Sequence, residues 1–257
     1  MHIVFKHIIT FLFCCFLNTV FSQLVNIESQ RIQSDSIRYT GNANFVYNYQ
    51  EINKVPLNVF KSSIVFQSKS KSYKDILLFL ANYEFSNSNK LKLSNSAFIH
   101  VRYNRKLTKL IRWEIYNQLQ YNQLLNLYSR YIAGTGLRMK ISNHKSFKSY
   151  IGLSSFYEYE ETLEEKRTYK NDFRMSNYLV LSYKFLKEKG ELTSTTYFQP
   201  LYSDLKDFRI TNQSQIVLNF TKNISFTTTI NYFFDRIPPV GIDKETFSFE
   251  NGLRLTF

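Results

Sequence analysis

Two carboxylates, Glu158 and Glu160, stand two residues apart in the run Phe156-Tyr157-Glu158-Tyr159-Glu160. In an extended chain that spacing puts both on one face, roughly 6.6 Å apart along the strand, a separation at which paired carboxylates can hydrolyse glycosides. The same face carries many cations, however. Alternate residues along the chain collect Arg38, Arg102, Arg112, Arg130, Arg138, Lys140, Arg174, Lys184, Arg209 and Arg254, against Glu114, Glu158, Glu160, Asp235 and Glu250. Pairing of the two glutamates with arginines of an adjoining strand, such as Arg138, outweighs catalysis. Rings of basic side chains favour anions, so the set reads either as the lining of a narrow anion-biased pore or as a cross-linked plug.

Other chemistry is sparse. Beyond residue 22 only His100 and His144 are present, and the residues after His100 are Val101 and Arg102, so no His-x-Ser pair exists to activate a serine on one strand. A hydrogen-bonded structural role suits His100, and His144 falls in a turn. No metal or cofactor is expected, because no ligand constellation can be drawn. Both cysteines, Cys14 and Cys15, lie in the first 22 residues, which leaves the rest without disulfide chemistry.

The elements that would position these groups are strands. The last stretch, ETFSFENGLRLTF, alternates Phe247, Phe249, Leu253, Leu255 and Phe257 with Thr246, Ser248, Glu250, Arg254 and Thr256. One side is greasy and the other wet. The same rhythm recurs from Ile37–Gln50 onward, for example in Asp75–Phe85, where Leu77, Phe79, Ala81, Tyr83 and Phe85 share a face, and in Phe147–Glu160 and Phe173–Phe185. About twelve such stretches fit, each of a length that crosses a bilayer at a tilt. Aromatics are 17% of residues while mean hydropathy is only -0.30, as lipid-facing side chains diluted by a polar lumen require. The expected fold is therefore all-β, a transmembrane antiparallel β-barrel of about twelve strands over 37–257. A soluble ligand-binding barrel, the structural rival, would turn the aromatics inward.

Residues 1–22 read as a secretory signal peptide: Lys6 and His7, an apolar core through Leu17, and Val20 and Ser22 before Gln23. Residues 23–36 form a polar lead-in. Bulky Phe13 before Cys14 argues against a lipoprotein. The formal charge of +13 includes one unit from Lys6. The remaining cations are spread over turns and alternate strand positions with no basic cluster, so nucleic acid is not an expected partner. Outer-membrane lipid and lipopolysaccharide, and a small anionic solute, suit this distribution better. The strand ending on Phe257 is the expected handle for the barrel-assembly machinery. With both termini periplasmic, brief polar turns such as Ser142–Ser146, Lys187–Gly190 and Thr221–Asn223 face the periplasm, and longer breaks at 161–172 and 236–244 face outward. Those two loops carry the alternative of a surface binding or scaffold barrel; a lipid- or glycan-modifying enzyme lacks the residues noted above.

The stretch His100-Val101-Arg102-Tyr103-Asn104, Glu114 with Gln118 to Asn122, and Arg130 followed by Gly134, Gly136, Leu137 and Arg138 resemble the YdiY-like family of outer-membrane barrels. So do Tyr197 and Pro200, Asp235 with Pro238, Pro239 and Gly241, and Gly252-Leu253 before Phe257. The resemblance covers roughly the last two-thirds of the chain; Ile37 to Lys90 fits through Gly41-Asn42 and strand rhythm. That family, described as salt-induced proteins with domain of unknown function 481, implies the fold and the outer membrane of a Gram-negative bacterium. It implies no catalytic residues.

Overall fold

A strand with one apolar and one polar side can border hydrocarbon only if its backbone groups are paired, which an open sheet edge forbids. A computed structural model describes residues 37–257 apart from 53–54, 89–90, 164–166 and 240; the expected signal segment and lead-in lie outside the described residues. The strands are β1 (Tyr39–Ile52), β2 (Val55–Lys69), β3 (Asp75–Ser88), β4 (Leu91–Lys106), β5 (Ile111–Asn122) and β6 (Leu127–Asn143). They continue with β7 (Phe147–Leu163), β8 (Arg167–Phe185), β9 (Gly190–Pro200), β10 (Phe208–Asn219), β11 (Ile224–Asp235) and β12 (Glu245–Thr256). Each lies antiparallel beside its sequence neighbours, and β12 returns to β1 to close a twelve-stranded barrel. The seam runs from Asn42 opposite Thr256 to Phe45 opposite Leu253. Gly41 and Phe257 extend it by exchanging two backbone hydrogen bonds of 3.1 Å.

The period-two pattern decides the two faces. Phe45, Tyr47, Leu77, Phe79, Tyr83, Phe247, Phe249, Leu253 and Leu255 are exposed, while the alternate Asn42, Asn44, Glu84 and Ser248 are buried. Aromatics outside and polar groups inside is the reverse of a soluble barrel. Exposed Tyr39, Phe147, Tyr183 and Phe220 lie toward the end that holds the chain terminus, and Tyr47, Tyr128, Phe173 and Phe247 lie toward the other. These are the positions of interfacial girdles.

Two expectations need correction. The supposed loop at 161–172 is largely strand, since β7 and β8 stay paired from Tyr159–Asn171 out to Leu163–Arg167. Its threonines and tyrosine suit a ladder as well as a solvated tip does, and β8 runs past β9, whose pairing starts at Asn177. A bridge still joins Arg174 to Leu201 and the Tyr202 amide donates to the Phe173 carbonyl at 3.0 Å, so only Arg167 to Asp172 run past β9, by roughly 20 Å at 3.3 Å per residue, while β6 stays paired with β7 out to Thr162. Nor is the interior uniformly polar. Val65, Leu78, Leu80 and Phe98 pack together inside, because the run Ile76 to Ala81 is apolar at every position and so supplies both faces of β3. The break at 236–244 does separate β11 from β12.

Candidate functional site

Near the end opposite the chain terminus, three arginines and five carboxylates meet inside the barrel. Arg209 on β10 binds Glu158 at 2.8 Å and Asp235 of neighbouring β11 at 2.9 Å, and reaches Glu160 at 3.4 Å. Glu158 and Glu160 are on β7, with β8 and β9 between. Arg130 on β6 holds Glu158 at 3.0 Å and Glu160 at 2.5 Å. Arg174 on β8 completes the lattice with Glu158 at 3.2 Å, Asp172 at 3.7 Å and a two-pronged grip on Asp207 at 3.0 and 3.3 Å. Asp207 belongs to the connection 201–207, so that connection is tied down onto the interior.

A second knot fills the middle. Arg102 meets Glu114 at 3.2 Å, and the Tyr178 hydroxyl on β8 donates to the same carboxylate on β5 at 2.8 Å. Arg138 lies over the Tyr150 ring at 4.0 Å and near the Tyr178 ring at 5.9 Å. It does not serve Glu158 and Glu160 as expected: it stands opposite Gly152, whereas Arg130 stands opposite Glu160. His100 is fully buried, stacked between Phe98 and Tyr116, with Arg102 donating to its Nε2 at 3.3 Å. Glycines make room for these rings. A Cβ on Gly152 would fall 2.0 Å from the Tyr178 ring and one on Gly134 2.4 Å from the Tyr116 ring, and each tyrosine is the direct cross-strand partner of its glycine.

On the opposite wall Lys61 on β2 joins Glu84 at 3.3 Å and Glu250 of β12 at 2.9 Å. Arg254 donates to Asn44 at 3.1 Å and to Gln215 at 2.7 Å. The remaining sequence candidates are half-buried near the terminus end. Arg38 lies over its neighbour Tyr39, Arg112 donates to the Lys74 carbonyl at 3.2 Å, Lys140 is half-buried, and Lys184 is 3.8 Å from Glu188. Lys61 and Glu84 were missed among the sequence candidates although they sit at inward positions of their strands. Asp207, Tyr116 and Tyr178 had no such signal, since a turn residue and an inward tyrosine break the alternation rule.

Small cavities lie among these groups. One cavity of about 80 Å³ lies among Asn44, Lys61, Gln213, Gln215, Thr229 and Glu250, and another of about 40 Å³ among His100, Arg102, Tyr116, Glu158, Tyr178 and Arg209. Each has room for a handful of waters.

A closed ring of twelve antiparallel strands, apolar outside and polar within, is an outer-membrane-type β-barrel of the porin-like class. The family model described as "Protein of unknown function, DUF481" matches residues 60–257, and the chain belongs to that family, as the resemblance in its last two-thirds implied. No curated protein matches the sequence. Among solved structures the fold is similar to the COG4313 outer membrane channel from Pseudomonas putida F1, at 9% identity and TM-score 0.51, covering 86% of this chain and 95% of that one. The KdgM porin in complex with disordered oligogalacturonate aligns at 10% identity, TM-score 0.48, over 85% of this chain and 99% of that one. The NanC porin aligns at 13% identity, TM-score 0.47, over 84% and 97%.

Proposed function

We propose that this protein is a non-catalytic barrel of the Gram-negative outer membrane whose resting lumen is held shut by its own ion pairs. The observation that carries this reading is Arg209, which spans from β10 to β7 and joins carboxylates on two walls. Three guanidiniums among five carboxylates leave no excess of positive charge at that level, so anion preference has no support there. Conduction then requires the lattice to part. The termini face the periplasm, residues 1–22 are removed on export, the Phe257 strand is presented to the barrel-assembly machinery, and lipopolysaccharide surrounds the outer half. The seam formed by Phe257 with Gly41 supports its part in closure. In a planar bilayer the purified protein stays near silent under this reading, and Glu158→Gln with Glu160→Gln, which takes both carboxylates from Arg130 and leaves Arg209 only Asp235, yields discrete conductance steps. A large, steady conductance from the parent protein would overturn it.

A second reading is favoured by the outer end of the β7–β8 hairpin, where β8 before Phe173 runs past β9 and with the 236–244 loop offers a surface for a binding partner. Replacing the hairpin tip by a short turn separates the two: a silent lumen and a lost partner support surface recognition.

A further inference from the structure

The sequence spreads its cations over many turns, and the barrel gathers them. The five connections at the end that holds the chain terminus, 70–74, 107–110, 144–146, 186–189 and 220–223, each carry at least one lysine. These are Lys71 and Lys74, then Lys109, Lys145, Lys187 with Lys189, and Lys222. All seven are exposed, and Glu188 is the one carboxylate among those turns. The six connections at the other end nearly balance by sequence, with six cations against five carboxylates. The lysine-bearing turns are stitched into one rim. The Lys106 amide donates to the Lys74 carbonyl, that of Lys140 to Leu110, that of Lys184 to Ser146 and that of Asn219 to Lys189, each at 2.8 Å.

A rim of this charge attracts anions, and its surroundings select among them. Large apolar side chains stand exposed beside the lysines: Tyr73, Leu107, Leu110, Phe147, Leu186 and Phe220. A water-soluble polyanion gives such groups nothing to bury in. A bilayer interface does, because apolar side chains enter the acyl boundary while lysine stems lie along it and lift their ammonium groups to the phosphates. The rim also follows directly on the aromatic girdle of Tyr39, Phe147, Tyr183 and Phe220, which sets it at headgroup depth. We infer that the seven turn lysines form a collar for anionic phospholipid of the periplasmic leaflet, holding headgroup phosphates around the barrel. This rests on the barrel standing in the outer membrane with its termini periplasmic, and is independent of whether the lumen conducts.

Trp113, the single tryptophan of the chain, is exposed two residues past the start of β5, beside the turn that holds Lys109, and so reports on lipid at the collar. The exported full chain is reconstituted in phosphatidylcholine, and its fluorescence is quenched with phosphatidylglycerol or phosphatidylcholine brominated on the acyl chain. The anionic lipid is expected to associate at least about fivefold more strongly. Lys71→Gln with Lys74→Gln and Lys109→Gln, checked as folded by heat-modifiable migration, removes that preference while quenching by phosphatidylcholine persists. Equal quenching by the two lipids overturns the inference, as does a preference that survives the three substitutions. Displacement of the anionic lipid by inorganic phosphate at constant ionic strength overturns it in favour of a soluble ligand. Quenching by neither lipid sinks the membrane placement itself, and the collar with it.

Discussion

Arg209 on β10 and Glu158 on β7 are joined through the barrel interior, Nη1 to Oε1 at 2.8 Å, although two strands separate them on the wall. Contacts between neighbouring strands stabilise a sheet whether or not it encloses space. A contact that skips strands limits the space beside it, and here a cavity of about 40 Å³ is lined by both residues.

Arg209→Ala removes the cation shared by Glu158, Glu160 and Asp235. Removing one partner of a buried pair costs about 3–5 kcal/mol. A lower thermal transition of the folded barrel is expected. The surplus carboxylates also give any conductance a cation preference, measured as a reversal potential under a salt gradient. No change in either quantity counts against the lattice.

Lys61→Met strands Glu84 and Glu250 on one wall, with a loss of about 3–5 kcal/mol. Adding Glu84→Gln and Glu250→Gln removes the stranded charges and restores most of it. Denaturant unfolding of the single and triple variants in micelles provides the comparison, and equal losses in both would show that packing, not charge, dominates there.

Gly152→Val drives a branched side chain into the Tyr178 ring and costs about 1–3 kcal/mol. Tyr178→Ala in the same chain recovers part of that, less the hydrogen bond to Glu114. The double-mutant cycle is read from unfolding midpoints, and strict additivity is the outcome that contradicts the contact.

Deleting Phe257 removes two seam hydrogen bonds at about 1 kcal/mol each. Less folded barrel in the membrane fraction, seen as a smaller heat-modifiable band, is the expected result. An undiminished band would assign closure to Asn42–Phe45 and β12 alone.

Much of this architecture is legible in the sequence alone. Lipid acts on each strand separately, so Phe247, Phe249, Leu253 and Leu255 announce their side by spacing alone, and β11 begins and ends where the pattern predicts, at Ile224 and Asp235. Inward parity likewise collected Arg130, Glu158, Arg174 and Arg209 as one group. Their partners were not legible. Arg138 and Arg130 have the same parity on β6, and only the register, which sets Gly152 opposite one and Glu160 opposite the other, decides between them. The Arg209–Glu158 bond depends on curvature, which no local pattern encodes, and the pairing of Glu161 with Tyr169 turned a charged tip into a ladder. Alternation thus determined which residues enter the interior, because solvent preference is a property of single side chains. Closure decided which of them touch, because distance across a lumen is a property of the whole ring.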